Sequence, residues 1–272
     1  MSGTDGAPWD VLCAAVLGEG DAVRKAALAE DALGRLDELD VGTAPGVARP
    51  GRPARPPKPR LVPPQDVPRR GLGSRRGRLA LLHALAHIEL NAVDLAADMA
   101  LRFAGELPDA ERARFVHDWL TVAGEEGLHF RLLCERLAEL GGAYGDLAAH
   151  DGLWEAAVKT GGDVLARLAV APMVLEARGL DVTPGLIGKL TALGDDRTAS
   201  VLERIYRDEI GHVRTGVHWF RRLAAARGRD PETAFHALVR TYYPAGPKPP
   251  FNAWARRAAE MPEDWYLGAV PE

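Results

Sequence analysis

The chain has 272 residues, of which 47% are hydrophobic, and it carries a formal net charge of -4. This length and hydrophobic content suffice for one large domain or two small ones and exclude a disordered chain. The small net charge excludes a general attraction to nucleic acid or to anionic membranes. Aromatic residues make up only 6%, and β-branched residues rarely alternate, so the composition predicts a nearly all-helical protein.

The cysteine count and the N-terminus restrict the compartment. Cys13 and Cys134 are far apart and form no C-x-x-C pair, so neither a disulfide framework nor a thiolate zinc site is expected. The N-terminal stretch MSGTDGAPWD lacks the features of a secretory signal, and no apolar run approaches the roughly 18 residues of a membrane span. We expect a soluble, cytoplasmic protein.

The first part of the chain combines helical patterns with a basic strap. Residues 8 to 40 predict one or two helices, with Lys25 on the exposed side. Between Arg49 and Arg78 lie ten lysine or arginine residues, one acid and repeated prolines, which predict an extended segment. This strap either ties the N-terminal helices to the rest of the protein or grips phosphate groups. Residues 1 to 76 form the first predicted domain.

Strong helical periodicity begins after the strap. We predict a four-helix bundle over residues 77 to 227, with a C-terminal extension over residues 228 to 272 that packs back on it. The four helical patterns span residues 77 to 104, 109 to 140, 152 to 179 and 195 to 227.

Glycine and proline mark the expected helix ends. Gly141-Gly142 and Gly179 predict helix stops. Thr183-Pro184 resembles an N-cap followed by a first-turn proline, so it predicts the start of a short helix over residues 184 to 193.

One acidic pentad occurs twice, as EEGLH at residues 125 to 129 and as DEIGH at residues 208 to 212, 83 residues later. Each pentad lies in an amphipathic pattern, and steps of three or four residues from its second acid trace an otherwise apolar stripe. The polar members of the two stripes are Glu126 with His129 and Glu209 with His212. The repeat therefore predicts one Glu-x-x-His pair on the buried face of each of two helices.

The other two predicted helices each place one acid on an apolar face, namely Glu89 and Glu176. Four buried carboxylates cost several kcal/mol each unless their charge is offset, and no lysine or arginine lies on these faces. Two metal cations would supply that charge. A Glu from each of two helices plus Glu-x-x-His from each of two others is the ligand pattern of di-iron and di-manganese bundles.

The order of these residues supports a pseudo-repeat. Glu89 precedes Glu126 by 37 residues, and Glu176 precedes Glu209 by 33. Each helix pair is therefore predicted to supply half of one dinuclear site.

Residues beside the ligands have two interpretations each. Metal-bound histidines commonly donate their second N–H to a carboxylate, so Glu125 and Asp208 are each predicted to hold the histidine of the opposite pair. Alternatively, both are ordinary surface acids. Tyr206 lies one turn before Glu209, where its phenol either bonds a ligand or relays an electron, or else packs in the core.

Pro172 interrupts the third predicted helix four residues before Glu176. It either opens a channel beside the site or bends the helix for packing. His83 and His87 are each interpreted as a polar-face histidine or one that contacts another segment, so neither is a predicted ligand.

At the predicted ligands and the acids beside them, the sequence resembles the ferritin-like superfamily of four-helix di-metal carboxylate proteins. The stretches HALAHIELNAVDLAADMA, EEGLHF, APMVLEARGLDVTPG and YRDEIGHVRTG, with KPPFN in the tail, resemble its branch called domain of unknown function 455. The resemblance covers about residues 75 to 225. It implies a ferritin-like bundle and metal binding, but no settled reaction. A more distant relative in fold is a bacterial tRNA hydroxylase family that uses a di-iron site.

Carboxylate and imidazole ligands suit iron or manganese, so the expected cofactors are two iron ions or an iron/manganese pair. The expected function is an oxidase or hydroxylase that uses O2 on a small organic or nucleoside substrate, with or without an external electron donor. One alternative is a ferritin-type protein that oxidises and binds iron without an organic substrate. Another is a metal-free helical scaffold.

A third alternative is a tRNA-modifying hydroxylase whose basic strap neutralises phosphates. The strap lacks interleaved aromatic residues that would stack on bases, so nucleic acid is the less expected partner. No membrane partner is expected.

Overall fold

The computed structural model describes residues 8 to 39, 45 to 67 and 71 to 271. Within these ranges the protein is all-helical and has no β-strand, which confirms the prediction of an all-helical protein. An isolated bridge pairs Leu61 with Ala149. The chain forms two compact units, Met1–Asp151 and Gly152–Glu272. The three predicted domains and the four-helix bundle stay predictions.

Among its described residues the first unit contains four α-helices. Helix α3 packs along α4, while α2 packs on α4 and α1 on α3. The predicted helices over residues 77 to 104 and 109 to 140 correspond to α3 and α4. Ser74 caps α3 by accepting a hydrogen bond from the backbone N–H of Gly77 at 3.0 Å. The helices are α1 (Trp9–Gly18), α2 (Ala22–Gly34), α3 (Arg75–Phe103) and α4 (Asp109–Glu139).

Glycine residues allow α2 to lie against α4. A Cβ atom on Gly127 would stand 2.7 Å from the carbonyl oxygen of Ala26, and one on Gly124 would overlap the Leu33 side chain. The two backbones therefore approach more closely than any larger residue permits. Since Gly127 directly follows Glu126, α2 covers α4 beside that acid.

We expect Gly127→Ala to lower the free energy of unfolding by about 1–3 kcal/mol, because the obstructing atom belongs to backbone and α2 must move away. Gly188→Ala is the matched control, since a Cβ there meets no atom within 4 Å. In a helix that change should stabilise by about 0.5–1 kcal/mol. Urea unfolding of both variants checks the prediction, and equal shifts in the two proteins would contradict it.

The described part of the basic strap is hydrogen-bonded to other segments of the first unit. The N–H of Ala54 donates to the Leu17 oxygen at 2.8 Å, and that of Val62 donates to the Ala149 oxygen at 2.8 Å. Arg52 forms an ion pair with Asp151. These contacts support the structural interpretation of the strap, and a phosphate-binding role stays a prediction.

A buried ion pair joins α2, α3 and the strap. Lys25 and Asp94 are fully buried, and Lys25 Nζ lies 2.5 Å from Asp94 Oδ1. Lys25 also donates to the Ala54 oxygen at 2.9 Å, and Arg55 Nη2 lies 3.0 Å from Asp94 Oδ2. Burial lowers the pKa of Lys25, while the Asp94 charge opposes that shift. The prediction that Lys25 is exposed is wrong, because its partner comes from a distant helix.

The second unit contains the remaining helices. Helix α7 packs on α8, α6 packs on α8 and α9, and α10 contacts both α7 and α8. A six-residue π-helical segment, Ala171–Glu176, connects α6 to α7. The helices are α5 (Gly152–Lys159), α6 (Val164–Val170), α7 (Ala177–Ala192), α8 (Asp196–Ala226), α9 (Pro231–Tyr242), α10 (Ala253–Ala258) and α11 (Glu263–Gly268).

The predicted single helix over residues 152 to 179 is wrong. The chain leaves helical geometry after Lys159, and α6 begins where Asp163 accepts a hydrogen bond from the Leu165 N–H at 3.0 Å. The π-helical segment then contains Pro172, whose ring packs on α8 at Gly216. A Cβ on Gly216 would lie 2.6 Å from Pro172 Cβ. The structure therefore gives Pro172 a packing contact.

Helix α7 continues through Thr183 and Pro184, so the predicted helix start there and the predicted stop at Gly179 are wrong. Proline lacks the N–H that would bond to the carbonyl four residues earlier, here that of Leu180. The Asn252 Nδ2 donates to this Leu180 oxygen at 3.1 Å instead. A tail residue thus satisfies the carbonyl that Pro184 leaves open.

The tail packs on the helices of the second unit through a buried arginine. The Arg256 guanidinium bonds Asp181 through Nε at 2.9 Å and Nη2 at 2.7 Å. It also lies over the rings of Phe251 and Tyr266, at 5.0 Å and 4.6 Å from their centroids. This charged and aromatic contact fixes α10 on α7.

Among the described residues, one helical stretch, Arg75–Glu106, is long and apolar enough by length and composition to cross a membrane, and 67% of its most apolar window is buried inside the protein. It contains the buried acids Glu89, Asp94 and Asp98. Such burial is typical of a core helix in a soluble protein. The cytoplasmic location stays a prediction.

Candidate metal centre

Helices α3 and α4 bring three predicted ligands together in the first unit. Glu89 is 4% exposed, and Glu126 and His129 are fully buried. His129 Nδ1 lies 3.4 Å from Glu89 Oε2 and 3.5 Å from Glu126 Oε2. Each of the three residues offers a donor atom within 4.8 Å of the others. The i,i+3 spacing places Glu126 and His129 on the face of α4 that meets α3.

These separations fit a shared metal ion. Donor atoms about 2.1 Å from one ion stand roughly 3.0–3.5 Å apart at ordinary bond angles. The set contains two carboxylates and one imidazole, which suits iron, manganese or zinc. With three protein donors, coordination positions remain for a further ligand or for a substrate.

The electrostatics of Glu89 fit a site that needs a cation. Burial raises the pKa of Glu89 well above its ordinary value of 4.5, and the nearby Glu126 charge raises it further, while His129 opposes the shift. Two close acids in the interior repel each other when both are ionised. A metal ion would remove that repulsion by replacing the proton on Glu89.

We expect metal binding to release protons and to strengthen as pH rises. Between pH 4.5 and the raised pKa, folded metal-free protein holds a proton on Glu89 that the unfolded chain has lost. The stabilisation from this proton is complete below the pKa that Glu89 has in the unfolded chain. It is lost as pH rises through the pKa that Glu89 has in the folded protein. A bound cation must displace the proton, so acid weakens binding.

Titration calorimetry with Mn²⁺ at pH 6 and pH 8, in buffers of different ionisation enthalpy, measures this proton release. Equal affinity at both pH values without proton release would contradict the expectation.

The second unit brings together the other Glu-x-x-His pair on α8. Glu209 and His212 are buried, and His212 Nδ1 lies 3.7 Å from Glu209 Oε2. Glu176 is half-buried and is the last residue of the π-helical segment, which packs on α8. Segments of this kind are frequent at functional sites, because the extra residue in the turn re-aims the side chains that follow. Metal ligation by these three residues stays a prediction.

Asp208 and Tyr206, two of the three residues predicted beside the ligands, form side-chain hydrogen bonds. Asp208 Oδ2 accepts a hydrogen bond from Arg204 Nε at 2.6 Å, and Glu125 is half-buried on α4. The Tyr206 phenol oxygen accepts from Asn252 Nδ2 at 2.9 Å, and burial raises the pKa of Tyr206. The proposed roles of Glu125, Asp208 and Tyr206 towards the ligands stay predictions.

Sequence reasoning missed Asn252. This residue joins α7 to α8, since its Nδ2 bonds both the Leu180 oxygen and the Tyr206 phenol. The available signal was the KPPFN stretch together with Pro184, which leaves an unpaired carbonyl for a tail residue to bond.

His83 and His87 bond the loop that follows α4. His87 Nδ1 lies 2.9 Å from the Tyr144 phenol oxygen, and its Nε2 lies 3.0 Å from the His150 carbonyl oxygen. His83 Nε2 accepts from the backbone N–H of Gly145 at 2.9 Å. Both rings are held by contacts other than the three clustered ligands.

Comparison with known proteins gives one family and one relative. The family model described as "Protein of unknown function (DUF455)" matches residues 19 to 267. An uncharacterised protein of Haemophilus influenzae is 48% identical over 189 residues, which cover 69% of this chain and 66% of that protein. The chain thus spans just under two thirds of this relative. No solved structure matches the chain.

Proposed function

The chain belongs to the DUF455 family of proteins of unknown function, and from its buried Glu and His residues we propose that it is a di-metal carboxylate protein of the ferritin-like kind. In this proposal two iron ions, or one iron and one manganese, serve an oxidase or hydroxylase reaction with O2. The substrate is a small organic molecule or a nucleoside.

The observation that carries the proposal is the cluster of Glu89, Glu126 and His129. All three side chains lie in the interior of the first unit, where two ionised carboxylates cost several kcal/mol unless a cation offsets their charge. Their donor atoms have the separations expected for atoms around a single metal ion.

The proposed second ligand set is Glu176, Glu209 and His212. Glu209 and His212 repeat the spacing of Glu126 and His129, and Glu176 stands at the end of the π-helical segment. The pseudo-repeat of the sequence is the reason for assigning both sets to one dinuclear centre and to a ferritin-like bundle.

The protein residues would contribute ligation, orientation and exclusion of water. Bound iron supplies the electrons for reducing O2. The carboxylates of Glu89 and Glu126 balance the charge of the metal, and the buried walls around them keep bulk water from the site. The Tyr206 phenol accepts a hydrogen bond from Asn252, and since Tyr206 precedes Glu209 by one turn of α8, it would donate its own proton to a ligand.

Ferritin-type iron oxidation without an organic substrate is the competing function, because it would use the same ligands. Its signature is consumption of O2 in proportion to added ferrous iron, with no continued turnover when a reductant is present. An oxidase or hydroxylase continues to consume O2 as long as reductant and substrate last.

Elemental analysis by plasma mass spectrometry tests the proposal first. Protein expressed with both iron and manganese should retain about two of these ions per chain. Oxygen-electrode assays of the loaded protein against small organic and nucleoside substrates then separate the two functions. Protein that holds no transition metal after reconstitution with ferrous iron would contradict both.

A further inference from the structure

A second candidate site lies in the first unit, where the start of α3 meets the loop that follows α4. A cavity of about 170 Å³ opens there to solvent. This is more than ten times the ~10–15 Å³ that one water molecule needs by the same measure. The cavity therefore has room for a small organic molecule. The residues that give it chemical character are Arg76, Leu79, His83, Leu137, Asp146 and Leu147.

His83 lines this cavity with a buried imidazole ring. The side chain is 1% exposed, and its Nε2 accepts from the backbone N–H groups of Gly145 at 2.9 Å and Leu147 at 3.4 Å. A nitrogen that accepts carries no proton, so the ring is neutral and its proton lies on Nδ1. Among the described residues nothing bonds this Nδ1–H, so it is the polar atom that the ring offers to an occupant.

Stacking fixes the direction of this donor. The His83 ring lies 5.4 Å from the ring of Tyr144, with an angle of 21° between the planes. The two backbone bonds to Nε2 and this stacked ring hold the imidazole in one orientation. A donor fixed before binding loses little entropy when it meets a ligand.

Opposite charges line the same cavity. Arg76 is exposed, and across the part of the chain that the structure describes its guanidinium forms no ion pair. Asp146 Oδ2 accepts from the Ala143 N–H at 2.7 Å, which leaves Oδ1 free to bind a cation. Because the two side chains do not pair with each other, each remains available for a group of opposite charge on a ligand.

Three leucine side chains form the apolar part of the lining, from α3, α4 and the loop. A ligand that matches the whole cavity therefore carries one anionic group, one cationic group and a branched or aromatic apolar body. Arg76 and Asp146 are both exposed, so water solvates whichever of them a ligand does not contact, and a ligand that bears both charges gains one more charge-assisted contact than a ligand that bears only one.

We propose that this cavity binds a free apolar α-amino acid of the leucine or phenylalanine type. The carboxylate accepts from Arg76 and from His83 Nδ1–H, the ammonium group donates to Asp146, and the side chain lies on Leu79, Leu137 and Leu147. This site is independent of the metal ligands, so it stands or fails separately from the proposed metal chemistry.

Calorimetric titration of the full-length protein with leucine, valine, methionine and phenylalanine tests the site. We expect saturable binding of one molecule per chain by at least one of them. Isocaproate lacks the ammonium group of leucine, and isoamylamine lacks its carboxylate, so each should bind about tenfold more weakly or less. No saturable binding by any of the four amino acids would overturn the proposal.

Two variants remove the charges one at a time. Arg76→Gln should weaken amino-acid binding about tenfold and leave isoamylamine unaffected, whereas Asp146→Asn should weaken the amino acid and leave isocaproate unaffected. Asparagine keeps an oxygen for the Ala143 N–H, so the loop is preserved. Arg257→Gln and Asp37→Asn are matched controls, since both residues are exposed and neither lines the cavity. Unchanged affinity in both cavity variants would overturn the assignment.

A spectroscopic measurement identifies the contact to histidine. In protein labelled with ¹⁵N-histidine, the Nδ1–H signal of His83 should shift as the amino acid binds. Binding that leaves this signal in place would show that the amino acid occupies another site and would overturn the proposal.

Discussion

The Glu126→Ala protein is expected to retain at most about half of the bound metal of the native protein. Glu126 is fully buried, and its Oε2 lies 3.5 Å from His129 Nδ1, at a distance that suits two donors on one ion. Alanine removes one of three donors in the first unit and places no other donor nearby. Plasma mass spectrometry of the purified variant measures the change.

Two further variants separate loss of a ligand from loss of structure. Glu135→Ala removes an exposed acid from the same helix, where it pairs with Arg131, and should leave the metal content unchanged. Glu209→Ala should also remove metal if the second ligand set is correct. Native metal content in both Glu126→Ala and Glu209→Ala, with intact helical circular dichroism, would contradict the proposed ligands.

Replacing Lys25 with methionine is expected to lower the free energy of unfolding by about 3–5 kcal/mol. The substitution keeps the length and apolar stem of the side chain, but it removes the charge that lies 2.5 Å from Asp94. Asp94 would then stay buried with only Arg55 as a cationic partner. Urea unfolding followed by circular dichroism measures the loss.

The neighbouring Arg24 provides the control, because its side chain is 73% exposed. Arg24→Met should change the free energy of unfolding by less than about 0.5 kcal/mol. Adding Asp94→Asn to Lys25→Met should restore part of the stability, since the amide buries no charge. Equal losses in Lys25→Met and Arg24→Met would show that the buried pair contributes little.

The contacts of Lys25 also bear on the basic strap. Arg55 and the Ala54 oxygen, both in the strap, bond the same buried pair, so the strap closes over α2 and α3 at this point. Loss of Lys25 should therefore loosen the strap as well as the helices. Faster amide exchange at Ala54 in Lys25→Met would report this coupling, because the Ala54 N–H bonds the Leu17 oxygen of α1.

Local sequence determined the long helices and the polar residues on their buried faces. The periodic patterns predict α3, α4 and α8 within a few residues, because the interior face of a helix repeats every three or four residues. The same patterns place Glu89, Glu126 and His129 on the inner faces, and the structure buries all three. An acid in an apolar stripe cannot avoid burial without exposing the apolar residues around it.

Only the tertiary structure decided the features that depend on distant partners. Lys25 is buried because Asp94, 69 residues away, supplies its counter-charge. Helix α7 continues through Pro184 because Asn252, 72 residues from Leu180, bonds the carbonyl that proline leaves open. Helix propensity assigns a cost to a proline without regard to distant partners, and the hydrophobic pattern likewise assigns a lysine to the surface without regard to a distant acid. The compensating hydrogen bond or ion exists only once the chain has folded and brought the two segments together.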